Sequence, residues 1–460
     1  MAGVNRRSFL AAGVSGVIGL GLGFAGGYLL SPEKQVTKTI EVTRQVGGTT
    51  VTQTVTQPPV TLTRTVTARG QDQVLNIAEI AGLSGGIAPY GIPMHNSRLI
   101  AIEEINNSGG IVIGDKLYKL NLVFVDGAVT DQALAALERF VEQDKIPFIL
   151  DGASSRNYYA LGPRIKEKHP KALVLSAGGY DPDTTKGIPN LYRSTFDQRD
   201  LFLFEAEWFK QIGVNKIATL IDKTHADAIL YVEQILPKSG FQVVADERYT
   251  TGQTDFVPIL QKLKGLSKSF DVLIWHGFEP DNINLLKQAR SVGLLPPAGE
   301  APKDFIMLSQ SLSEPDFGLP LAGGDAGLYE GIYMDQFGTA ADLPNSTPRI
   351  KYINKIYKNK YPGSPYVAWV STGYDSVYIL VRAMQKAGTT TDVQAVMKAL
   401  NELTVWDVPE LTYNYPPGRL FDSEGQAHPI LTLSKWEKGQ FKYVTSSWET
   451  ARFIHDPVMK

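Results

Sequence analysis

Cysteine is absent from the 460-residue sequence, which excludes disulfides, thiolate metal sites, a cysteine nucleophile and lipidation of an N-terminal cysteine. Net charge is nearly absent too. Lys and Arg number 45 against 47 Asp and Glu, a balance of −2 that gives no pull toward nucleic acid or an anionic membrane. Histidine occurs six times, with no pair at helical spacing beside a glutamate, and there is neither an acidic calcium loop nor a phosphate-cradling glycine pattern. No metal and no cofactor is expected on these grounds. Asp181-Pro182-Asp183 is acidic enough for a cation, but a turn before a helix explains it equally. What is present is globular, with 43% hydrophobic and 20% charged residues. The length suits two lobes with separate cores once a leader and linker are set aside.

Arg6-Arg7-Ser8-Phe9-Leu10 precedes an uncharged run from Leu10 to Leu30. The pattern reads as an export signal resembling the twin-arginine type. Roughly twenty uncharged residues also suffice to span a bilayer, so a membrane anchor over residues 1–30 is the alternative fate. Residues 31–73 repeat Thr and Val with few large apolar groups, which predicts an extended, solvated tether. A β-rich stalk is the competing expectation, because both residue types favour strands.

From Gln73 onward short apolar runs alternate with helical patterns. Strands are expected at Val74 to Ile80, Leu120 to Val125, Pro147 to Leu150 and Ala172 to Leu175. Helices are expected from Pro93 to Asn107, with Leu99, Ile102 and Ile105 on one face, and from Asp131 to Gln143, with Leu134, Leu137 and Val141 inward. A second series has strands at Ile217 to Ile221, Phe241 to Ala245, Phe270 to Trp275 and Phe305 to Leu308. Beyond Gly331 come another strand, helices Thr347 to Tyr361, Val367 to Gly388 and Asp392 to Leu403, and a hairpin of Ile430 to Lys435 with Phe441 to Val444. Continuous Ile, Val and Leu runs mark strands buried on both faces, so the fold class is α/β, two doubly wound parallel-sheet lobes.

Gly82-Leu83-Ser84-Gly85-Gly86 after the first strand matches a nucleophile elbow. The elbow needs a helix directly behind the serine, whereas Ile87-Ala88-Pro89-Tyr90-Gly91 is expected to intervene as loop. A hydrolase is therefore the minor reading, and its test is loss of turnover in Ser84→Ala. Ligands in open α/β sheets bind beyond the carboxyl ends of the strands. In the first lobe those loops are Gly82 to Tyr90, Asp151 to Arg156 and Ser176 to Tyr180; in the second they are Asp222 to Ala226, His276 to Glu279 and Ser309 to Ser311. Small residues and hydroxyls before helix N-termini suit a carboxylate. Tyr90, Phe278 and Trp275 offer apolar walls, although Trp275, inside a strand, fits core better. The sequons at Asn106 and Asn345 are acceptors for glycans in an organism that makes them, with chance occurrence as the competing explanation.

Taken together, Gly82-Leu83-Ser84-Gly85 through Tyr90-Gly91, Glu104-Ile105-Asn106-Asn107-Ser108-Gly109-Gly110-Ile111 and Leu286-Lys287-Gln288-Ala289-Arg290-Ser291-Val292-Gly293-Leu294 resemble the type I periplasmic binding proteins of branched-chain amino acid ABC transporters. The resemblance implies a non-enzymatic receptor, exported to the periplasm or cell surface, that passes a small ligand to a permease and its ATPase. It implies three crossovers near Ser194, Met334 and Leu420, with lobe 1 at 74–194 and 335–419 and lobe 2 at 195–334 and 420–460. The family's ligand contacts fall on Tyr90, Ser154 or Ser155, Gly178 and Tyr180. In the second lobe the chain departs from the family, with Ala226 and Phe278 where tyrosines are common and Gln310 where a glutamate holds the ammonium group. Loss of that carboxylate removes a charge-assisted hydrogen bond of about 1.5–3 kcal/mol. An amide or a carboxylate without an amine then joins the amino acids as an expected ligand, with Asp222, Glu279 or Asp126 as substitute acids. A sensor that reports its ligand to a regulatory partner is the alternative role.

Overall fold

The computed structural model describes residues 39–46, 49–56, 73–152, 154–310, 315–336 and 346–450. The expected export signal or anchor at 1–30 lies outside them. The chain divides into two units, Met1–Ala68 and Arg69–Lys460. In the first, β1 (Thr39–Val46) pairs antiparallel with β2 (Thr49–Thr56) in continuous register from Thr39↔Thr56 to Val46↔Thr49. Over these residues the expected extended tether is replaced by a hairpin, because the β preference of alternating Val and Thr outweighs the low hydrophobicity.

The second unit contains two sheets. One has the order β4-β5-β3-β6-β7-β8, formed by β3 (Gln73–Ala81), β4 (Ile111–Ile113), β5 (Lys116–Asp126), β6 (Phe148–Asp151), β7 (Leu173–Ser176) and β8 (Leu191–Arg193). All its pairings are parallel except β4 with β5. The other runs β10-β9-β11-β12-β13-β14-β15. It comprises β9 (Lys216–Asp222), β10 (Gln242–Tyr249), β11 (Val272–His276), β12 (Ile306–Ser309), β13 (Tyr333–Gln336), β14 (Thr432–Glu437) and β15 (Gln440–Ser446). It is parallel through β13, after which the C-terminal hairpin adds antiparallel. The expected doubly wound lobes are thus both present. The three-residue strands β4 and β8 are too short to leave an apolar run that sequence reading could separate from loop.

Helices Pro348–Lys360, Ala368–Ala387 and Val393–Asn401 return to the first sheet. Their Ile353, Val377, Leu380 and Leu400 are buried in one core with Leu75, Ile77 and Leu150. Leu420, Phe421 and Ala427 belong to that core as well, while Leu431 and Leu433 join the core of the second sheet with Ile217 and Ile274.

Two of the motifs that carried the resemblance serve the fold. Gly110 at φ +93° ends the Ala88–Asn107 helix, and a side chain there would sit 2.5 Å from the Tyr118 carbonyl. Asn106 beside it exchanges two hydrogen bonds with the backbone of Leu120, at 2.8 and 2.9 Å, so its amide is a clamp between helix and sheet. Arg290 of the other motif donates to carbonyls of Leu328 at 2.8 Å, Pro296 at 2.6 Å and Glu330 at 3.1 Å, fastening the turns beside β13.

Candidate functional site

In the first lobe the glycine turn is shorter than the sequence suggests. A 3₁₀ turn at Gly85–Ile87 leads straight into the helix at Ala88, five residues ahead of the expected start at Pro93. Pro89 fits because the first turn needs no intrahelical N–H, and Gly91 fits because a Cβ there would strike the carbonyl of Gly82. Helix therefore follows Ser84 closely, and the loop argument against a nucleophile does not hold. The partner set decides instead. Asp126 accepts hydrogen bonds from the backbone of Leu83 at 3.0 Å and from Ser84; burial opposes ionisation, but these donors hold its carboxyl below the usual range. His95, on the same helix, is paired with Glu79 at 2.6 Å.

The early helix start places Tyr90 in its first turn. The Tyr90 ring meets Trp369 at 5.5 Å and Phe317 at 5.8 Å between centroids. Tyr180 meets Trp369 edge-on at 5.8 Å and stacks on Phe196 at 4.5 Å. Trp369, from the C-terminal Ala368–Ala387 helix, thus joins the two expected tyrosines into one aromatic wall. Gly178 lies under it, where a Cβ would stand 3.3 Å from the Trp369 ring and 2.7 Å from the Gly152 carbonyl. Ser154 is the N-cap of the Ser155–Lys168 helix, and Ser155 Oγ accepts the Asp181 N–H at 3.1 Å, tying the loops after β6 and β7 together. Buried Arg193 secures the second of these loops. It donates to the carbonyls of Gly179 at 2.8 Å and Asp181 at 2.7 Å and is ion-paired with Asp197 at 2.9 Å.

The second lobe contributes a polar wall from the ends of β9, β11 and β12. His276 Nε2 lies 3.3 Å from His225 Nδ1, and Asp227 lies 3.7 Å from the first-named nitrogen's partner on His225 and 3.6 Å from His276. Gln310 sits behind them. Its Nε2 donates to both oxygens of Glu205, at 2.7 and 2.8 Å, and its Oε1 takes a short hydrogen bond from His276 Nδ1. Burial lowers the His276 pKa to about 4. Asp227 is buried as well, yet its bond to His225 and the nearby imidazoles hold it down to about 2. Glu205 and Asp335 are buried side by side, and burial raises both carboxyls, Asp335 further because of the Glu205 charge.

Phe278 lies over His225 at 4.6 Å and is 37% exposed, whereas Ala226 is exposed at the start of a short helix. Gln310 is only 6% exposed and both ends of its amide are engaged, so it supports the wall from behind. Of the suggested substitute acids, Asp222 is occupied by Thr224 at 2.9 Å and Thr251 at 2.5 Å, and Asp126 by the Leu83–Ser84 turn. The ionised acid at this surface is Asp227, which sequence reasoning missed. Trp275 is fully buried in the core.

The two walls approach one another. Phe317 of the second lobe touches Tyr90 of the first, and Asp316 beside it is ion-paired with Lys358 at 2.7 Å. Burial raises the Asp181 pKa, and so does the charge of Asp227 opposite. The first lobe thus carries an aromatic wall and the second an imidazole–carboxylate wall, and the two face one another.

A family model described as periplasmic binding protein matches residues 74–440. The Leu/Ile/Val-binding protein BraC3 of Rhizobium johnstonii is 25% identical over 376 residues, covering 80% of this chain and 92% of the relative. The isoleucine complex of the branched-chain amino acid transporter substrate-binding protein LivJ from Streptococcus pneumoniae superposes with a TM-score of 0.65 at 20% identity, covering 81% of this chain and 99% of that one. A solute-binding protein from R. palustris in complex with benzoate superposes at 0.64 and 15% identity, with 81% and 96% covered. The chain belongs to the periplasmic binding protein family that this model describes. Among the described residues no helix is long and apolar enough to cross a membrane.

Proposed function

We propose that this protein is the extracytoplasmic receptor of an ABC importer and that it closes on an α-amino acid. The observation that carries this reading is the pairing of the two walls. An apolar side chain fits against Tyr90, Trp369 and Phe317. The carboxylate fits the Ser154–Ser155 helix start and the Gly178 backbone, where N–H groups and a positive helix end converge. The ammonium group fits between Asp227 and Asp181, which supply the negative charge that Gln310 does not. The three crossings near Ser194, Met334 and Leu420 serve as the hinge. The third is supported by the change of core between Leu420 and Leu431. No residue is assigned a catalytic step.

Export by way of Arg6-Arg7, periplasmic or cell-surface residence, N-terminal attachment and delivery to a permease with its ATPase complete the proposal. The test is a thermal-shift screen of the full chain, with chelator present, against amino acids, short amides and simple carboxylates. Ligand at a hundred times its Kd adds about 2.7 kcal/mol of stability. Shifts with branched-chain or aromatic amino acids are expected. Equal shifts with carboxylates that lack an amine would remove the assignment of Asp227 and Asp181, and silence across the panel would remove the receptor reading.

A further inference from the structure

We propose that His225, Asp227 and His276 form a site for a divalent transition ion of the zinc class, built into the second lobe's side of the cleft. A tetrahedral ion with bonds of about 2.0–2.1 Å to nitrogen needs its donors about 3.3–3.4 Å apart. Here the two imidazole nitrogens are 3.3 Å apart, with Asp227 Oδ1 3.7 Å from His225 Nδ1 and Asp227 Oδ2 3.6 Å from His276 Nε2. One donor atom from each residue lies within 4.8 Å of the other two, and rotation of the Asp227 carboxylate is the movement that brings a single oxygen to ligand spacing.

The orientation of His276 is set from behind. Gln310 turns its amide nitrogen to the Glu205 carboxylate, so its oxygen faces His276 and accepts the Nδ1 proton. In the neutral imidazole Nε2 then carries the lone pair, and Nε2 is the nitrogen aimed at His225 and Asp227. A ligating histidine whose other N–H is held by a carbonyl, itself held by a carboxylate, is the outer support that metal sites use. His225 offers Nδ1 to the same point; its Nε2 is shut off from solvent and has no hydrogen-bond partner among the described residues. Side-chain exposures of 21, 7 and 8% for His225, Asp227 and His276 leave an approach on the His225 side only.

Two imidazoles and a carboxylate leave the fourth position for water or for Asp181, which feels the charge of Asp227 from the facing lobe. The ion and a ligand ammonium group compete for Asp227, so the site is tested without solute, and its failure leaves the amino acid reading untouched. A second cluster, Glu138, Glu142 and His169, lies on the first lobe. There Arg164 already stands 3.6 Å from Glu138 and opposes a cation, which makes the cluster an internal control.

The experiment is titration of the chelator-stripped full chain, carrying no histidine tag, first with Co²⁺ and then with Zn²⁺. The expected result is the visible absorption of a four-coordinate cobalt site, saturating at one ion per chain and abolished when Zn²⁺ displaces it. His225→Gln with His276→Gln abolishes the spectrum. Gln310→Leu weakens the site by about 10–100-fold, and His169→Gln leaves it unchanged. Should the double variant fail to fold, Asp227→Asn decides, with at least tenfold weaker binding expected. Absence of a cobalt spectrum in the wild-type protein, its survival in the double variant, undiminished affinity in Asp227→Asn, or its loss in His169→Gln would each overturn the proposal.

Discussion

His428 lies where the chain makes its last passage from the first lobe to the second, clasped between Asp200 at 2.6 Å and Asp422 at 3.2 Å. Asp200 belongs to the Gln198–Gln211 helix, whose Phe202 and Phe209 pack in the second lobe; Asp422 follows Phe421, which packs in the first. Burial alone would lower the imidazole pKa, but the two carboxylates prevail and raise it from 6.5 to about 10. At 1.36 kcal/mol per unit, that rise corresponds to a ceiling of about 4–5 kcal/mol of folding stability. Because the folded pKa is the higher one, the contribution is complete below pH 6.5, declines as pH rises from there, and is gone above about 10. His428→Gln should remove it. Urea unfolding of both proteins at several pH values between these limits is the assay, with the wild type expected to lose about 2–4 kcal/mol more than the variant across the window. Asp375, raised to about 7 by burial, adds the same pH dependence to both proteins and cancels in the difference. Parallel curves would refute the charge clasp.

Other perturbations test the walls and their supports. Arg98 holds buried Glu79 at 2.7 Å, with His95 as its second partner. Arg98→Met leaves that carboxylate short of its main cation and should cost about 3 kcal/mol in chemical denaturation. Gly179, at φ +70°, accepts no side chain without overlapping the Tyr158 ring; Gly179→Ala should cost about 1–3 kcal/mol and loosen the loop that carries Gly178 and Tyr180. Phe317→Ala removes the ring that meets Tyr90 across the lobes. Calorimetry should then show solute Kd rising about three- to tenfold, the equivalent of about 0.5–1.5 kcal/mol, and an unchanged Kd would mean that Phe317 takes no part in closure.

The lobes were legible because buried parallel strands announce themselves as continuous apolar runs. Val74 to Ile80 and Ile217 to Ile221 fall inside β3 and β9 with an error of one residue at each end. The start of the first helix was not, since Pro93 reads as a boundary although it sits inside the helix, where Gly91 allows the chain to press against the Gly82 carbonyl. At the candidate site, position after a strand pointed to Tyr90, Ser155 and Tyr180, but it could not point to Trp369, which comes from the Ala368–Ala387 helix and packs against both tyrosines. The meeting of His225 and His276 was available in principle. His225 follows β9 and His276 ends β11, and neighbouring parallel strands bring their carboxyl ends together, but the pairing of β9 with β11 had first to be known. Gln310 shows the opposite limit: its residue type and place suggested ligand contact, and only the carboxylate of Glu205, from a distant helix, reveals its inward orientation.

The order of strands in the second sheet bears on how the molecule is made. β13 is completed at Gln336, but its neighbour β14 begins only at Thr432, after the helices that return to the first sheet. At ~5–20 residues per second, a ribosome leaves that edge without its partner for several seconds. Tyr333-Met334-Asp335-Gln336 is for that interval an open strand edge, the kind of surface on which other chains can pair. Asp335, a carboxylate that the finished fold buries, is the one charge along that edge and opposes such pairing while the nascent lobe awaits its last hairpin.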